Sequence, residues 1–198
     1  MAVGKFLIFD NDIGFDGMTA VRIADLVKEA DDVEVEIAES RNGYFPDSMV
    51  GFDGVILTGS SASAYYSDDW ISTLKQKIKE VGDAGMPILG ICFGAHIIAL
   101  SYNAQVKSSG SLEVGWKDIT VNNTNRLFQG MPTCIGQYEV HRDIVNGDYS
   151  NLELLAWNDF SVQGFQVRGK RIYGLQFHPE VSYPMGKHIL ETHESQLE

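Results

Sequence analysis

Apolar residues recur along this chain in two alternating rhythms. Residues 6–9, Phe-Leu-Ile-Phe, form a continuous apolar run of strand length that stops at Asp10-Asn11-Asp12. Over residues 18–30 the rhythm lengthens. Apolar side chains at 18, 21, 24, 27 and 30, widened by Ile23 and Leu26, predict one face of a helix. Val33, Val35 and Ile37 then alternate with Glu34 and Glu36, the pattern of a half-exposed strand near a sheet edge. Val55-Ile56-Leu57 is a third strand that breaks at Thr58-Gly59-Ser60. Trp70, Ile71, Leu74, Ile78 and Val81 keep helical spacing behind a Ser67 cap. Residues 87–91 read as a fourth strand, and 95–100 as the apolar face of the next helix.

Beyond Tyr102 the pieces become shorter and strand-like, separated by Gly, Asn and Ser. They fall at 117–121, 134–140, 152–156, 161–167 and 171–177, with a closing helix over about 184–193. Strands alternating with helices, then strands alone, predict an α/β fold in one domain over residues 1–198. It is an open, mostly parallel, flavodoxin-like sheet with flanking helices and a more antiparallel C-terminal half. Ligands of such sheets bind at the carboxyl ends of the strands. Here those ends are Thr58, Ile91 and Phe177.

Composition narrows the classes. The chain has 44% hydrophobic and 11% aromatic residues, enough to build a core and too many for a disordered segment. With 27 acidic and 15 basic side chains the net charge is −12, which argues against tracking nucleic-acid phosphates or an anionic membrane surface. Two cysteines make no disulfide framework. No leader pattern opens the sequence and no apolar run reaches membrane-span length, so the expected compartment is the cytoplasm.

The chemistry concentrates at Gly90-Ile91-Cys92-Phe93-Gly94. A nucleophile between two glycines at a strand-to-helix turn is an elbow, with Cys where other hydrolases carry Ser. The helix N-terminus behind Cys92 favours thiolate over thiol, and the Phe93 N–H faces a developing oxyanion. A thiolate needs a base and acid partner. His178 in Gln176-Phe177-His178-Pro179-Glu180 follows an apolar strand, with Glu180 two residues on to orient its ring, a Cys-His-Glu triad in the general sense. His141, in a polar corner after a strand, is the second candidate base. Cys134 reads as a core or edge-strand residue, and His188 and His193 as solvated positions on the last helix. Asp10 and Asp12 read as capping or solvent-facing. No metal-ligand spacing and no phosphate loop occurs, so no metal or cofactor is expected.

These motifs resemble the class I (triad) glutamine amidotransferases, most of all stand-alone members related to the glutaminase domain of GMP synthase. The resemblance runs from about Val55 to Val181. It includes the Thr58-Gly59-Ser60 turn, Trp70, Glu113-Val114-Gly115-Trp116, His141-Arg142-Asp143 and Gln176-Phe177-His178. It implies hydrolysis of the glutamine side-chain amide, or of a γ-glutamyl amide, by Cys92, His178 and Glu180. Backbone donors at Gly59, Ser60 and Phe93 would hold the oxyanion, and His96, Val114, Gly115 and Trp116 would line the substrate. The family's elbow usually continues to a glutamine where this chain has His96. No ATP-pyrophosphatase loop occurs in these residues. Either a separate synthetase subunit receives the ammonia, or a γ-glutamyl compound is simply hydrolysed. Two other readings remain beside it: the cysteine hydrolase or chaperone family in which histidine directly follows the nucleophile, and a non-catalytic binding protein on the amidotransferase scaffold.

Overall fold

A computed structural model describes residues 3–13 and 18–193, with backbone only for 192 and 193. Its strands are β1 (Gly4–Phe9), β2 (Val33–Ala38), β3 (Gly54–Leu57), β4 (Ile88–Ile91), β5 (Gln105–Val121), β6 (Cys134–Asn146), β7 (Leu152–Trp157), β8 (Val162–Val167) and β9 (Ile172–Leu175). Its helices are α1 (Met18–Ala30), α2 (Asp69–Asp83), α3 (Phe93–Ser101) and α4 (Tyr183–His193). The strands form one sheet in the order β2-β1-β3-β4-β9-β8-β7-β5-β6. The first five in that order are parallel, and the rest pair antiparallel. The expected edge position of β2 is thus correct, and β9 returns from the end of the chain to stand beside β4.

Alternation within the parallel strands divides the core into two layers. Leu7, Phe9, Val55 and Leu57 point to one face, where Ile71, Leu74 and Ile78 of α2 and Ile97 and Ile98 of α3 cover them. Ile8, Ile56 and Ile91 point to the other, beneath Ala20, Ile23 and Ala24 of α1. Each of the Val, Leu, Ile and Phe side chains taken fully from water contributes roughly 1.5–3 kcal/mol. A sheet covered on both faces explains the unbroken apolar runs of β1 and β3.

Three expectations need correction. The buried stripe of α1 is Ala20-Ile23-Ala24 with Val27 packed beside it, while Met18 and Val21 are more than half exposed. Two small alanines let the helix lie close to the sheet and turn the larger residues aside. The cap of α2 is Asp68, not Ser67, and it makes no side-chain cap bond. The strand expected over 117–121 begins at Gln105, and its partner β6 continues to Asn146. The Ser- and Gly-rich stretch 108–112, which reads as a loop, is an irregularity inside this long ribbon, where pairing shifts between Ser108 and Glu113. Among the described residues no helix is long and apolar enough to cross a membrane.

Candidate active site

Close approaches of the backbone set the elbow. Cys92 joins β4 to α3 with φ 49° and ψ −106°, a conformation that costs a non-glycine residue about 1–3 kcal/mol and persists only where its surroundings enforce it. Its N–H donates to the Leu175 carbonyl at 2.7 Å, tying it to the end of β9. A Cβ on Gly90 would stand 2.4 Å from the Gly94 carbonyl carbon, and one on Gly94 2.6 Å from the Leu57 Cβ. Strand, turn and helix nest only because both residues lack a side chain.

The neighbouring strand ends bring the other expected residues to the sulfur. Asn11, just past β1, donates its N–H to Thr58 Oγ1 at 2.9 Å and its side-chain amide to the Thr58 carbonyl at 3.0 Å. This clamps the Thr58-Gly59-Ser60 turn. A methyl on Gly59 would meet His178 Cε1 at 3.1 Å and Cys92 Cβ at 3.7 Å, so the turn, the thiol and the ring converge on one point. Past β9, the His178 N–H donates to the Tyr138 carbonyl at 2.9 Å, and its Nδ1 meets Glu180 Oε1 at 2.7 Å. Nε2 of His178 is buried and is held by no carboxylate or carbonyl among the described residues, while the Cys92 sulfur interacts with the ring. Burial works against charge on this ring, but the Glu180 carboxylate and the Cys92 sulfur outweigh it and hold His178 well above the ordinary imidazole range.

Cys92, His178, Glu180, Gly59, Ser60, His96 and His141 all line one cavity of about 570 Å³. Phe93 opens α3 with its ring packed on Trp70, centroids 5.5 Å apart. Among the described residues, Val114, Gly115 and Trp116 do not line the cavity. Trp116 instead packs on Tyr138 and Tyr183, and Gly115 lies opposite Glu139 in the β5–β6 ladder. Cys134 is exposed on β6, the last strand of the sheet. His188 is exposed on α4, and the His193 side chain lies outside the described residues. Asp10 pairs with Arg41, and Asp12 accepts from Thr19 Oγ1 at 2.7 Å.

His141 belongs to a buried cluster that reading the sequence missed. It sits inside β6, not in a corner after it, directly opposite Glu113 of β5 and on the same face as Glu139. Its Nδ1 donates to the Asp143 carbonyl at 3.0 Å, while Nε2 lies 3.0 Å from Glu113 and 3.2 Å from Glu139. Asn158 and Gln163 donate to the two Glu113 oxygens at 2.6 and 2.9 Å. Burial opposes charge on His141, but the two carboxylates win and raise it to about 9. Burial raises Glu139, against the pull of the His141 ring 3.2 Å away. The ligand atoms of Glu113, Glu139 and His141 lie within 4.8 Å of one another, which would suit a cation. An imidazolium between two carboxylates satisfies the same geometry by itself. Alternation of Glu139 and His141 two residues apart was the signal available, hidden by ending the strand at Val140.

Similarity to known proteins identifies the family and the fold. Residues 7–195 match the family model of class-I glutamine amidotransferases. The chain is 28% identical over 189 residues to the GMP synthase (glutamine-hydrolyzing) of Spiroplasma kunkelii, covering 95% of this chain and 35% of that protein. It is 34% identical over 143 residues to a protein of Thermoplasma acidophilum named as one subunit of GMP synthase (glutamine-hydrolyzing), covering 72% of this chain and 70% of that one. The chain therefore spans about a third of the length of the undivided GMP synthases it matches. A glutamine amidotransferase structure from Thermotoga maritima shares the fold, with a TM-score of 0.84 at 21% identity over 100% of this chain and 85% of that one.

Proposed function

Because the chain belongs to the class I glutamine amidotransferases, we propose that Cys92, His178 and Glu180 hydrolyse the side-chain amide of glutamine or a γ-glutamyl amide. Nε2 of His178 takes the Cys92 thiol proton, Sγ attacks the amide carbonyl carbon, and the carbonyl π electrons move to oxygen. The Phe93 N–H and the Gly59-Ser60 turn hold that oxyanion. Collapse expels the amine, which takes a proton from His178 and leaves a γ-glutamyl thioester. His178 then takes a proton from water, whose oxygen displaces the sulfur and releases glutamate. Glu180 fixes the ring so that Nε2 faces this exchange. Apart from the substrate and water, every group in these steps belongs to the chain.

One observation carries the reading. The nitrogen of His178 opposite its 2.7 Å contact with Glu180 is held by no carboxylate or carbonyl, and the ring interacts with the Cys92 sulfur at the strained turn in a cavity. The Thermoplasma relative is named as one part of a divided enzyme, which supports a separate synthetase as recipient of the ammonia. The test is release of ammonia and glutamate from glutamine, glutathione and γ-glutamyl conjugates, with and without a candidate synthetase. Turnover of at least one substrate, lost in Cys92→Ala, is expected, and stimulation by a synthetase identifies the transferase form. Turnover that survives Cys92→Ala overturns the mechanism.

A further inference from the structure

Two buried polar residues at Cys92 take no part in the steps above. His96 lies one turn into α3, where its N–H donates to the Cys92 carbonyl at 3.1 Å. Gln176 directly follows β9, with its N–H on the Gln163 carbonyl at 2.9 Å. Both side chains are almost fully enclosed, 3% and 2% exposed. His96 Nε2 lies 2.8 Å from Gln176 Oε1, and Gln176 Nε2 lies 3.7 Å from the Cys92 sulfur.

A side-chain amide has one accepting end and one donating end, so whichever end His96 holds, the other faces the sulfur. The carbonyl can only accept, hence His96 Nε2 must carry a proton. Burial is the largest influence on this ring and lowers it to about 4, so near neutrality it is uncharged and carries a single N–H. Placing that proton on Nε2 fixes the amide with its N–H toward sulfur. The other tautomer would turn the amide round and set its carbonyl oxygen against a nucleophile that becomes negative, a repulsive contact.

We propose that His96 is a positioning residue that acts through Gln176, locking the amide so that its N–H donates to the Cys92 sulfur and supports the attacking thiolate. The Nε2 of His96 is held by Gln176, and the rest of the ring lines the cavity. The proposal rests on the functional reading only in taking Cys92 as the nucleophile, and its test needs no substrate.

The test uses a Cys134→Ser background, since exposed Cys134 would compete for reagent. Iodoacetamide alkylation of Cys92 at pH 7 is followed by mass spectrometry, with Tm measured alongside. Gln176→Leu and His96→Leu should each slow alkylation about tenfold, the low end for a hydrogen bond to a charged group because the N–H···S contact is long. His96→Gln supplies an N–H donor again and should recover most of the rate, whereas a packing role would not separate Gln from Leu. In the parent protein, ¹⁵N NMR should find the His96 proton on Nε2, a readout that does not depend on any variant folding. Wild-type alkylation rates in folded Gln176→Leu, or a proton on Nδ1 of His96, overturn the proposal. Slowed variants in a protein that turns over neither glutamine nor γ-glutamyl amides would leave this assignment standing and refute the proposed function instead.

Discussion

Two buried histidines line the same cavity, and each touches a carboxylate. His178 meets Glu180 at 2.7 Å and His141 meets Glu113 at 3.0 Å. They differ in what the second ring nitrogen does. In His178 no carboxylate or carbonyl holds it among the described residues, while in His141 both nitrogens are engaged, one on the Asp143 carbonyl and one between two carboxylates. A histidine exchanges protons most readily through a ring nitrogen that no carboxylate or carbonyl holds. By that criterion the ring after β9 is the acid and base of the proposed reaction, and the ring inside β6 is an internal cation that joins β5 to β6. A carboxylate neighbour alone does not separate them.

The largest effects test that division directly. His178→Asn should lower amide hydrolysis by up to roughly 10⁶-fold, as loss of a triad histidine does elsewhere. His141→Gln should lower it by less than about tenfold, because Gln transfers no proton and His141 is assigned none. Comparable losses in the two variants, measured as kcat on folded protein, would erase the distinction. Next come the carboxylates. Glu180→Gln should cost roughly 10²–10⁴-fold in kcat by releasing the ring from its working orientation. Glu139→Gln should change kcat by far less than Glu180→Gln, since Glu139 meets His141 at 3.2 Å and acts on His178 only through space.

The pH dependence of stability sharpens the comparison further. Folding raises His141 from 6.5 to about 9, so its contribution is fully present below pH 6.5 and is lost as pH rises through 9. The upper bound is roughly 3 kcal/mol. Urea melts between pH 6 and pH 10 should show this decline in the wild-type protein and a flatter profile in His141→Gln. Identical slopes would mean that His141 is not the buried cation. The smallest effect concerns the elbow that brings Cys92 to His178. Gly94→Ala should destabilise by about 1–3 kcal/mol, because its methyl meets Leu57 in a packed layer.

The sequence made one of these two regions legible and concealed the other. The Cys92 elbow and His178-Pro179-Glu180 stand at strand ends, marked by glycines and a proline whose spacing has a mechanical meaning, so local reading was enough to name them. The parallel half was readable for a similar reason, since strands buried on both faces are unbroken apolar runs. The internal cluster is assembled from Glu113 of β5, Glu139 and His141 of β6, Asn158 of the β7–β8 turn and Gln163 of β8, which meet only through the β5–β6 register and the return of β8. Polar and Ser-rich residues in that ribbon hid the strands themselves. Gln176 was visible within its motif, but its contact with His96 spans 80 residues and depends on β9 pairing with β4.

The central claim is that Cys92 carries the γ-glutamyl group between two half-reactions served by His178. Rapid acid quench of wild-type protein mixed with its best amide substrate, followed by peptide mass spectrometry, reads this in one step. A γ-glutamyl adduct on the peptide containing Cys92, formed within the first turnover and absent from Cys134, is the predicted result. Steady turnover with no adduct on Cys92 at any quench time, and no loss of rate in Cys92→Ala, would contradict it.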